Sequence, residues 1–425
     1  MSTSIKAERL LVEYLSRYEA KNPKSKGLIQ DASKYLPGGT TRATLAQDPF
    51  PLVITSGQGA ELTSIDGQNY VDYVSEYFAG IYGHSHPKIL AAIEETAKGG
   101  LGYGSPHPVE AELAKLLVDR FPSVDRIRFC NSASEANIFA VASVLNFTHR
   151  SKVLVFENAY HGGAMSFVSA GYKNPLNVPH YYVFGSFNNI EKTKAVLEGL
   201  DSKDIGVVIV EPMQGAGGAI LGDKAFFEYL REATTRIGAI LIFDETITSR
   251  FMYGGLQTHL GVTPDMTTIG KHFGGGFSFG AFGGGVDIMA QFDPHSPSHL
   301  HHSGTFNNNV FSMKVGVAGT KLLTDENLKA LNALGNKLRS RLEDILAAKD
   351  PSGKLAAIAG FGSILGVGWI SPSGPTHRDL FYHFLLSKGI YIGHRGFVAL
   401  NFAHEQQHLD QLAEAFQEFL ALISE

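Results

Sequence analysis

Short runs of apolar, mostly β-branched residues alternate with amphipathic stretches through the middle of this chain. The runs are four to six residues long and are flanked by polar turns, which is typical of strands buried on both faces of a parallel sheet. The stretches between them repeat apolar residues at helical spacing. The strand candidates are Arg126–Phe129, Lys152–Phe156, Gly206–Val210 and Ala239–Phe243, and the helix candidates are Val109–Phe121, Ala136–Thr148 and Lys224–Ile237. This alternation predicts an α/β fold with a mostly parallel sheet flanked by helices.

The two ends of the chain have a different pattern. Residues 1–72 and 310–425 combine helical spacing with short strand candidates, among them Gly360–Ile370 and Gly389–Leu400. We expect both ends to form one smaller α+β domain, and residues 73–309 to form the larger domain. The chain is long enough for such a division, since domains average about 150 residues.

Composition narrows the class of protein. The formal net charge is −5 and no long basic run is present, which disfavours nucleic acid as a partner. A single cysteine, Cys130, excludes an intramolecular disulfide and fits a reducing compartment, so a cytoplasmic location is expected. No apolar run approaches the ~20 residues that span a bilayer, and no membrane association is expected. Glycine is enriched, at 47 of 425 residues, which indicates tight turns and close ligand approach.

Polar clusters follow the first two strand candidates, where an α/β sheet binds its ligands. Asn131–Ala136 contains Ser132 and Ser134 just before a helix, a setting that suits a phosphate at a helix N-terminus. An ordinary serine N-cap is the alternative. Tyr160-His161-Gly162 follows the next strand, and an aromatic side chain there can cover a planar ligand, although a core tyrosine has the same pattern.

Carboxylates and a lysine follow the later strands. Glu211 and Asp244 each come directly after an apolar strand, and a buried carboxylate needs a cationic or N–H partner. Lys271 lies in a glycine-lined segment, Gly270–Gly276. A P-loop is rejected there, because it requires Gly at position 265 and Ser or Thr at position 272, and this chain has Asp265 and His272. A lysine in such a setting indicates Schiff-base chemistry, with a surface lysine as the alternative.

In order, these motifs resemble the pyridoxal-phosphate enzymes of fold type I, specifically the class III aminotransferases. The resemblance is strongest to the branch that holds the β-phenylalanine (β-amino acid) aminotransferases and glutamate-1-semialdehyde aminomutase. It spans nearly the whole chain. The segments that carry it are Pro37–Gly39, Pro49–Leu52, Glu76–His84, Glu211–Ala216, Phe279–Gly283, Ser303–Asn309 and Arg395–Phe397.

The resemblance implies a set of residue roles around pyridoxal phosphate. Lys271 would bind the cofactor covalently and move a proton, Asp244 would hold the pyridine nitrogen protonated, and Tyr160 would stack on the ring. The remaining cofactor-binding candidates are Ser132, Ala133, Ser134, His161, Glu211, Thr246 and, from the neighbouring subunit of a homodimer, Thr305. Arg42, Tyr77 and Arg395 are the substrate-binding candidates, because a carboxylate substrate requires a bidentate partner.

Four positions depart from the family pattern. Ala133 and Ser134 stand where the phosphate loop usually has Gly and Thr, so an extra methyl group approaches the phosphate. Thr246 replaces the usual Val under the ring. Ala216 replaces the Glu that gates a carboxylate-binding arginine in many class III enzymes, which disfavours an ornithine- or γ-aminobutyrate-type substrate switch.

The implied function is transfer of an amino group from a β-amino acid, with an aromatic or bulky apolar side chain, to a keto acid such as 2-oxoglutarate or pyruvate. An aminomutase and an ω-transaminase of simple amines are the enzyme alternatives. A cofactor-binding scaffold without catalysis is disfavoured, because Lys271 and Asp244 are both present. The histidines at 295, 299, 301 and 302 share no metal motif, and we predict loop structure there instead of a metal site.

Overall fold

The computed structural model describes residues 3–100, 102–167, 174–200 and 202–424. The chain divides into two compact units, one formed by Met1–His86 with Leu331–Glu425 and the other by Pro87–Ala330. The sequence analysis placed the domain bounds between residues 72 and 73 and between residues 309 and 310, and these differ from the bounds of the two units. The predicted domain division stays a prediction. The difference arises in part because the helix at Val310–Thr320 packs on Pro87–Gly99 and Pro108–Val118 within the second unit.

The secondary structure is as follows. The α-helices are α1 Thr3–Lys21, α2 Pro23–Ala32, α3 Pro87–Gly99, α4 Pro108–Val118, α5 Ala133–Thr148, α6 Ile190–Leu197, α7 Lys224–Ile237, α8 Leu256–Leu260, α9 Val286–Met289, α10 Val310–Thr320, α11 Asp325–Lys349, α12 Gly374–Ser387 and α13 Gln406–Ser424. The strands are β1 Ile54–Gln58, β2 Glu61–Ser64, β3 Asn69–Asp72, β4 Arg126–Cys130, β5 Lys152–Phe156, β6 Ala159–Tyr160, β7 Ser166–Phe167, β8 Tyr181–Gly185, β9 Ile205–Val210, β10 Met213–Gln214, β11 Ile220–Leu221, β12 Ile240–Asp244, β13 Met266–Gly270, β14 Gly280–Gly284, β15 Ala356–Phe361, β16 Ile364–Trp369, β17 Ile390–Tyr391 and β18 Phe397–Ala399.

A mostly parallel sheet forms the centre of the 87–330 unit, with strand order β4-β14-β13-β12-β9-β5-β8. The pairs β8–β5, β5–β9, β9–β12 and β12–β13 are parallel, whereas β14 is antiparallel to both of its neighbours. Every residue of β9 is buried, as expected for a strand covered by helices on both faces. The α/β prediction is therefore confirmed.

Several strand ends that carry predicted chemistry meet at one edge of this sheet. The strand β4 runs in the same direction as β13, because β14 is antiparallel to each of them. The carboxyl ends of the strands at this edge are Cys130, Phe156, Val210, Asp244 and Gly270. Each of these residues belongs to, or directly precedes, a segment that the sequence analysis identified as a candidate for ligand binding or catalysis.

The other unit holds two small sheets. One has the order β1-β2-β3-β17 and the other β15-β16-β18, with α1, α12 and α13 packed together beside them. The single strands expected at Gly360–Ile370 and Gly389–Leu400 are wrong. Gly362, with φ of 53°, reverses the chain between β15 and β16, and the second segment divides into β17 and β18, which belong to different sheets.

Among the described residues, none of the helices has the length and apolar character of a membrane span.

Candidate active site

The loop after β4 caps a helix at the sheet edge. Ser132 is the N-cap of α5, and its Oγ accepts a hydrogen bond from the N–H of Glu135 at 3.1 Å. The carboxylate of Glu135 in turn accepts the N–H of Asn131 at 2.9 Å. The serine is thus an N-cap, as the alternative held, and it begins a helix of 16 residues whose positive end favours an anion. Both interpretations of this loop are compatible.

Glycines bring the neighbouring loops into contact with this helix start. A Cβ atom at Gly162 would lie 2.1 Å from Oγ of Ser134, and one at Gly280 would lie 2.0 Å from the carbonyl oxygen of Ser132. A Cβ atom at either position would clash with residues 132–134, so both positions require glycine. The loop after β5 and the start of β14 therefore pack directly on residues 132–134.

The methyl group of Ala133, which stands where the family usually has glycine, packs against Gly270. A Cβ atom at Gly270 would lie 2.8 Å from the Ala133 methyl carbon, so glycine at 270 leaves room for that methyl group. Gly270 immediately precedes Lys271. The backbone directly before Lys271 therefore packs on the start of α5.

Asp244 lies at the centre of a buried hydrogen-bond network. Its Oδ2 accepts Asn137 Nδ2 at 2.8 Å and His161 Nδ1 at 2.9 Å, and its Oδ1 accepts the N–H of Thr246 at 3.1 Å. The His161 nitrogen acts as the donor because an ionised carboxylate only accepts. Asn137 is oriented in turn by Thr268 Oγ1, which donates to Asn137 Oδ1 at 2.6 Å. The N–H partner predicted for Asp244 is present three times over.

These hydrogen bonds keep Asp244 ionised. Burial alone would raise the pKa of this carboxyl, but the hydrogen bonds and charge of His161, together with those of Thr246, hold its pKa below the ordinary value. A buried anion at the strand end is therefore available to a cationic N–H group.

Glu211 joins two further loops. Its Oε1 accepts the N–H of Tyr160 at 2.9 Å and its Oε2 accepts the N–H of Gly215 at 3.1 Å. Burial raises the pKa of Glu211 to about 7, with Asp244 adding to the rise and His161 opposing it. Glu211 thus fixes the backbone that carries Tyr160. Tyr160 itself is 44% exposed, and its ring can cover a flat ligand.

Lys271 occupies a strained backbone position directly after β13. Its φ of 53° is left-handed, which costs about 1–2 kcal/mol for a residue with a Cβ atom. Such strain persists only where the surroundings enforce it, and it concentrates at functional sites. The next residue, His272, is fully buried, and its Nε2 lies 3.2 Å from Ser249 Oγ. Burial lowers the pKa of His272 well below the ordinary value, so this imidazole is neutral.

Thr305 is exposed in a turn near the loop between β4 and α5. The side chain of Asn131, the residue before the N-cap, donates to Asn307 Oδ1 at 3.0 Å. The segment that holds Thr305 is therefore tied to the helix start of its own chain. Its predicted contact with a second subunit stays a prediction.

The substrate-binding candidates lie together in the other unit. The Arg42 guanidinium carbon is 4.7 Å from the centre of the Tyr77 ring, and its Nη1 is 2.6 Å from Glu76 Oε1. Burial raises the pKa of Tyr77, and the charges of Arg42 and Arg395 oppose the rise. The Arg395 guanidinium carbon lies 5.3 Å from the centre of the Phe397 ring.

The predicted loop histidines include one with a clear structural partner. His302 Nδ1 accepts Arg128 Nε at 3.0 Å, and burial lowers the pKa of His302 to about 4. Within the described ranges, no group of three or more His, Cys, Asp or Glu side chains is placed to hold a metal ion.

Some contact residues in each of the two units were missed by the sequence analysis. Asn137 and Thr268 orient Asp244, and Glu76 contacts Arg42. Asn137 lies among apolar residues at the start of the helix candidate Ala136–Thr148, and a polar side chain there was a usable signal. Neither Thr268 nor Glu76 has a comparable signal.

The residues at the sheet edge fit pyridoxal phosphate. The glycine-lined start of α5 suits its phosphate, and the Tyr160 ring is free to cover its flat ring. Asp244 is a buried anion that can accept from the pyridinium N–H, and the segment of Lys271 packs at the same helix start. These features match the chemical groups of the cofactor.

Comparison with known proteins gives the family. The aminotransferase class-III family model matches residues 43–420. The β-phenylalanine transaminase of Variovorax paradoxus is 40% identical over 97% of this chain and 96% of its own length. Its crystal structure has a TM-score of 0.94 at 39% identity, with 98% of this chain and 97% of that one covered.

Two further relatives extend the comparison. The glutamate-1-semialdehyde 2,1-aminomutase of Desulforudis audaxviator is 35% identical over 93% of this chain and 97% of its own length. A solved transaminase with pyridoxal phosphate bound is 29% identical, with a TM-score of 0.87 and 95% and 98% of the two chains covered. The family predicted from the motifs is confirmed. The chain belongs to the aminotransferase class-III family and is a pyridoxal-phosphate-dependent aminotransferase.

Proposed function

We propose that this aminotransferase takes its amino group from a β-amino acid with an aromatic or bulky apolar side chain and gives it to a keto acid. The observation that carries the proposal is the contact of Arg42 with the Tyr77 ring, with Arg395 beside it over Phe397, whose ring packs on Phe78. Two guanidinium groups and an aromatic ring suit a substrate that has a carboxylate and an apolar body. The 40% identity to a β-phenylalanine transaminase supports the same substrate class.

The residues at the sheet edge divide the work of the reaction. Bound pyridoxal phosphate supplies an electron sink for the amine-bearing carbon. We assign covalent attachment and movement of the proton to Lys271 Nζ, and acceptance of the pyridinium N–H to Asp244. Tyr160 covers the ring, and the loop Ser132–Ser134 binds the phosphate. His161, Glu211 and Thr246 hold these groups in place through the contacts described above.

A panel of donors tests the substrate class. β-Phenylalanine should have a higher kcat/KM than 1-phenylethylamine, which has the same ring and amine but no carboxylate. Higher activity with the simple amine would favour an ω-transaminase. Isomerisation of glutamate-1-semialdehyde without any keto acid would favour an aminomutase, the activity named for a 35% identical relative. Acceptors in the panel are 2-oxoglutarate and pyruvate.

The two arginines should have separable effects. We assign the donor carboxylate to Arg42, and Arg42→Ala should lower kcat/KM for β-amino acids by about 10- to 100-fold, the loss expected for one charge-assisted bidentate pair. Arg395→Ala should penalise 2-oxoglutarate much more than pyruvate, since only the dicarboxylate requires a second cation. Steady-state kinetics with both acceptors measures the difference. Equal losses for every substrate in both variants would contradict the assignment.

The active form is proposed to be a homodimer in which Thr305 completes the phosphate cradle of the partner subunit. Thr305 is exposed, and the adjacent Phe306 is 66% exposed, as a residue awaiting an interface would be. Sedimentation velocity should give a dimer as the smallest active species, and Thr305→Ala should weaken cofactor binding by about 10-fold or more. A fully active monomer would refute the proposal.

A cytoplasmic location is proposed on the single cysteine. Burial raises the pKa of Cys130 to about 12, with Glu135 adding to the rise, so this thiol is protonated and unreactive. Fractionation of the source cells tests the location.

A further inference from the structure

A left-handed turn of four residues contains the substrate-binding candidate Tyr77. Ser75, Glu76, Tyr77 and Phe78 have φ angles of 44°, 48°, 50° and 78°. Consecutive left-handed residues are unfavourable for side chains with a Cβ atom, and they persist only where the surroundings over-determine them. An observed outlier of this kind, unlike a glycine turn, points to a function for the side chains it carries.

The surroundings fix this turn at its start and at its end. Asp72 Oδ1 accepts the N–H groups of Val74 and Ser75 at 2.8 and 3.1 Å. Ser75 Oγ donates to the carbonyl of Ala399 at 3.1 Å. At the other end, Phe78 is buried against Phe397, with ring centroids 5.6 Å apart. The backbone between these anchors has little freedom to relax.

The turn places two side chains on Arg42. Glu76 Oε1 lies 2.6 Å from Arg42 Nη1, and the Tyr77 ring lies against the guanidinium at 4.7 Å. The Tyr77 hydroxyl donates to the carbonyl of Thr44 at 2.8 Å, which ties the ring to the segment that carries Arg42. The guanidinium therefore has an aromatic wall and an internal carboxylate.

The ion pair between Glu76 and Arg42 is accessible to solvent. The Glu76 side chain is 65% exposed and the Arg42 side chain 43% exposed. Ion pairs this exposed are weak, because water competes for both charges. A substrate carboxylate with bidentate geometry can replace Glu76, and the displaced side chain can enter solvent.

We propose that Glu76 is an internal competitor for the carboxylate subsite of Arg42, displaced each time a carboxylate substrate binds. This inference rests on the proposed function, in which Arg42 binds the donor carboxylate. The competition raises the KM of donors that have a carboxylate. It leaves the KM of donors without a carboxylate unchanged. Glu76 is therefore a specificity-determining residue that narrows the advantage of amino acids over amines.

The charge-removing substitution Glu76→Gln tests the competition. In the holoenzyme, the ratio of KM for β-phenylalanine to KM for 1-phenylethylamine should fall by about two- to five-fold, the range expected for a weak exposed pair. In an Arg42→Ala background the same substitution should leave that ratio unchanged. Glu61→Gln is the matched control, because Glu61 is an exposed glutamate of the same unit on strand β2. A higher ratio in Glu76→Gln would mean that Glu76 orients Arg42 and would overturn the proposal.

A binding measurement separates this proposal from the proposed function. Calorimetry with 3-phenylpropanoate, which has the ring and the carboxylate but no amine, should give tighter binding to Glu76→Gln than to the wild type by the same two- to five-fold. Tighter binding without any turnover of β-amino acids would leave the competition standing and refute the substrate assignment. Turnover of β-amino acids with unchanged or weaker binding would refute the competition alone.

Discussion

Lys271→Ala should lower the rate of transamination by about 10²- to 10⁴-fold or more, the contribution of a positioned acid–base group, while cofactor still binds noncovalently. Alanine keeps the Cβ atom, so the variant retains the left-handed strain at φ of 53° and loses only the amine. Single-turnover kinetics measures the loss. The visible spectrum of the purified protein, compared with and without added amine donor, reports whether cofactor remains.

Two controls identify the chemical origin of this loss. An added small amine such as methylamine should restore part of the activity of Lys271→Ala, because it can supply the missing base. Lys314→Ala removes another partly buried lysine of the same unit and should have turnover close to the wild type. Near-wild-type turnover of Lys271→Ala would end the assignment of Lys271.

The order of the site along the sheet edge was predictable because it depends on local pattern. Apolar runs that are each followed by a polar residue predicted β5, β9 and β12 to within one residue at each end. Parallel strands place their carboxyl ends at one edge, which brings Glu211 and Asp244 together. The strand β13, which precedes Lys271, was not among the predicted strands. The antiparallel strand β14 was not expected, because its glycine-rich sequence lacks the β-branched signature of a buried strand.

The contacts that orient the site were not predictable, because they join residues distant in sequence. Thr268 reaches Asn137 across 131 positions, and nothing near Thr268 indicates that partner. The left-handed turn at Ser75–Phe78 has no glycine, so the usual sequence signal for positive φ is missing. Its conformation is enforced from outside, by Asp72 and Ala399.

Asp244→Asn should lower turnover by about 10²- to 10³-fold, the loss seen when a preorganised electrostatic partner is removed from a reacting group. The lowered pKa of Asp244 keeps the wild-type carboxylate ionised, with burial opposing and His161 favouring the charge. Asparagine has the same shape but no charge, so the pyridinium N–H loses its anionic acceptor. Measured kcat at saturating cofactor isolates this effect from cofactor affinity.

The same substitution should also destabilise the protein, and this consequence has to be separated from catalysis. Asp244 accepts from Asn137, His161 and Thr246, so an amide NH₂ at this position must face at least one donor. One unsatisfied buried group costs about 1–3 kcal/mol, which thermal unfolding of the cofactor-free protein measures.

Asp265→Asn is the matched control, because Asp265 also accepts a backbone N–H, that of Leu241 at 2.7 Å, but lies just before β13, at the opposite edge of the sheet from Lys271. It should lower Tm and leave kcat close to the wild type. If Asp244→Asn lost stability yet kept its turnover, the carboxylate would have only a structural role. If Asp265→Asn lost turnover to the same extent, the loss in Asp244→Asn would reflect damage to the sheet and not the missing charge.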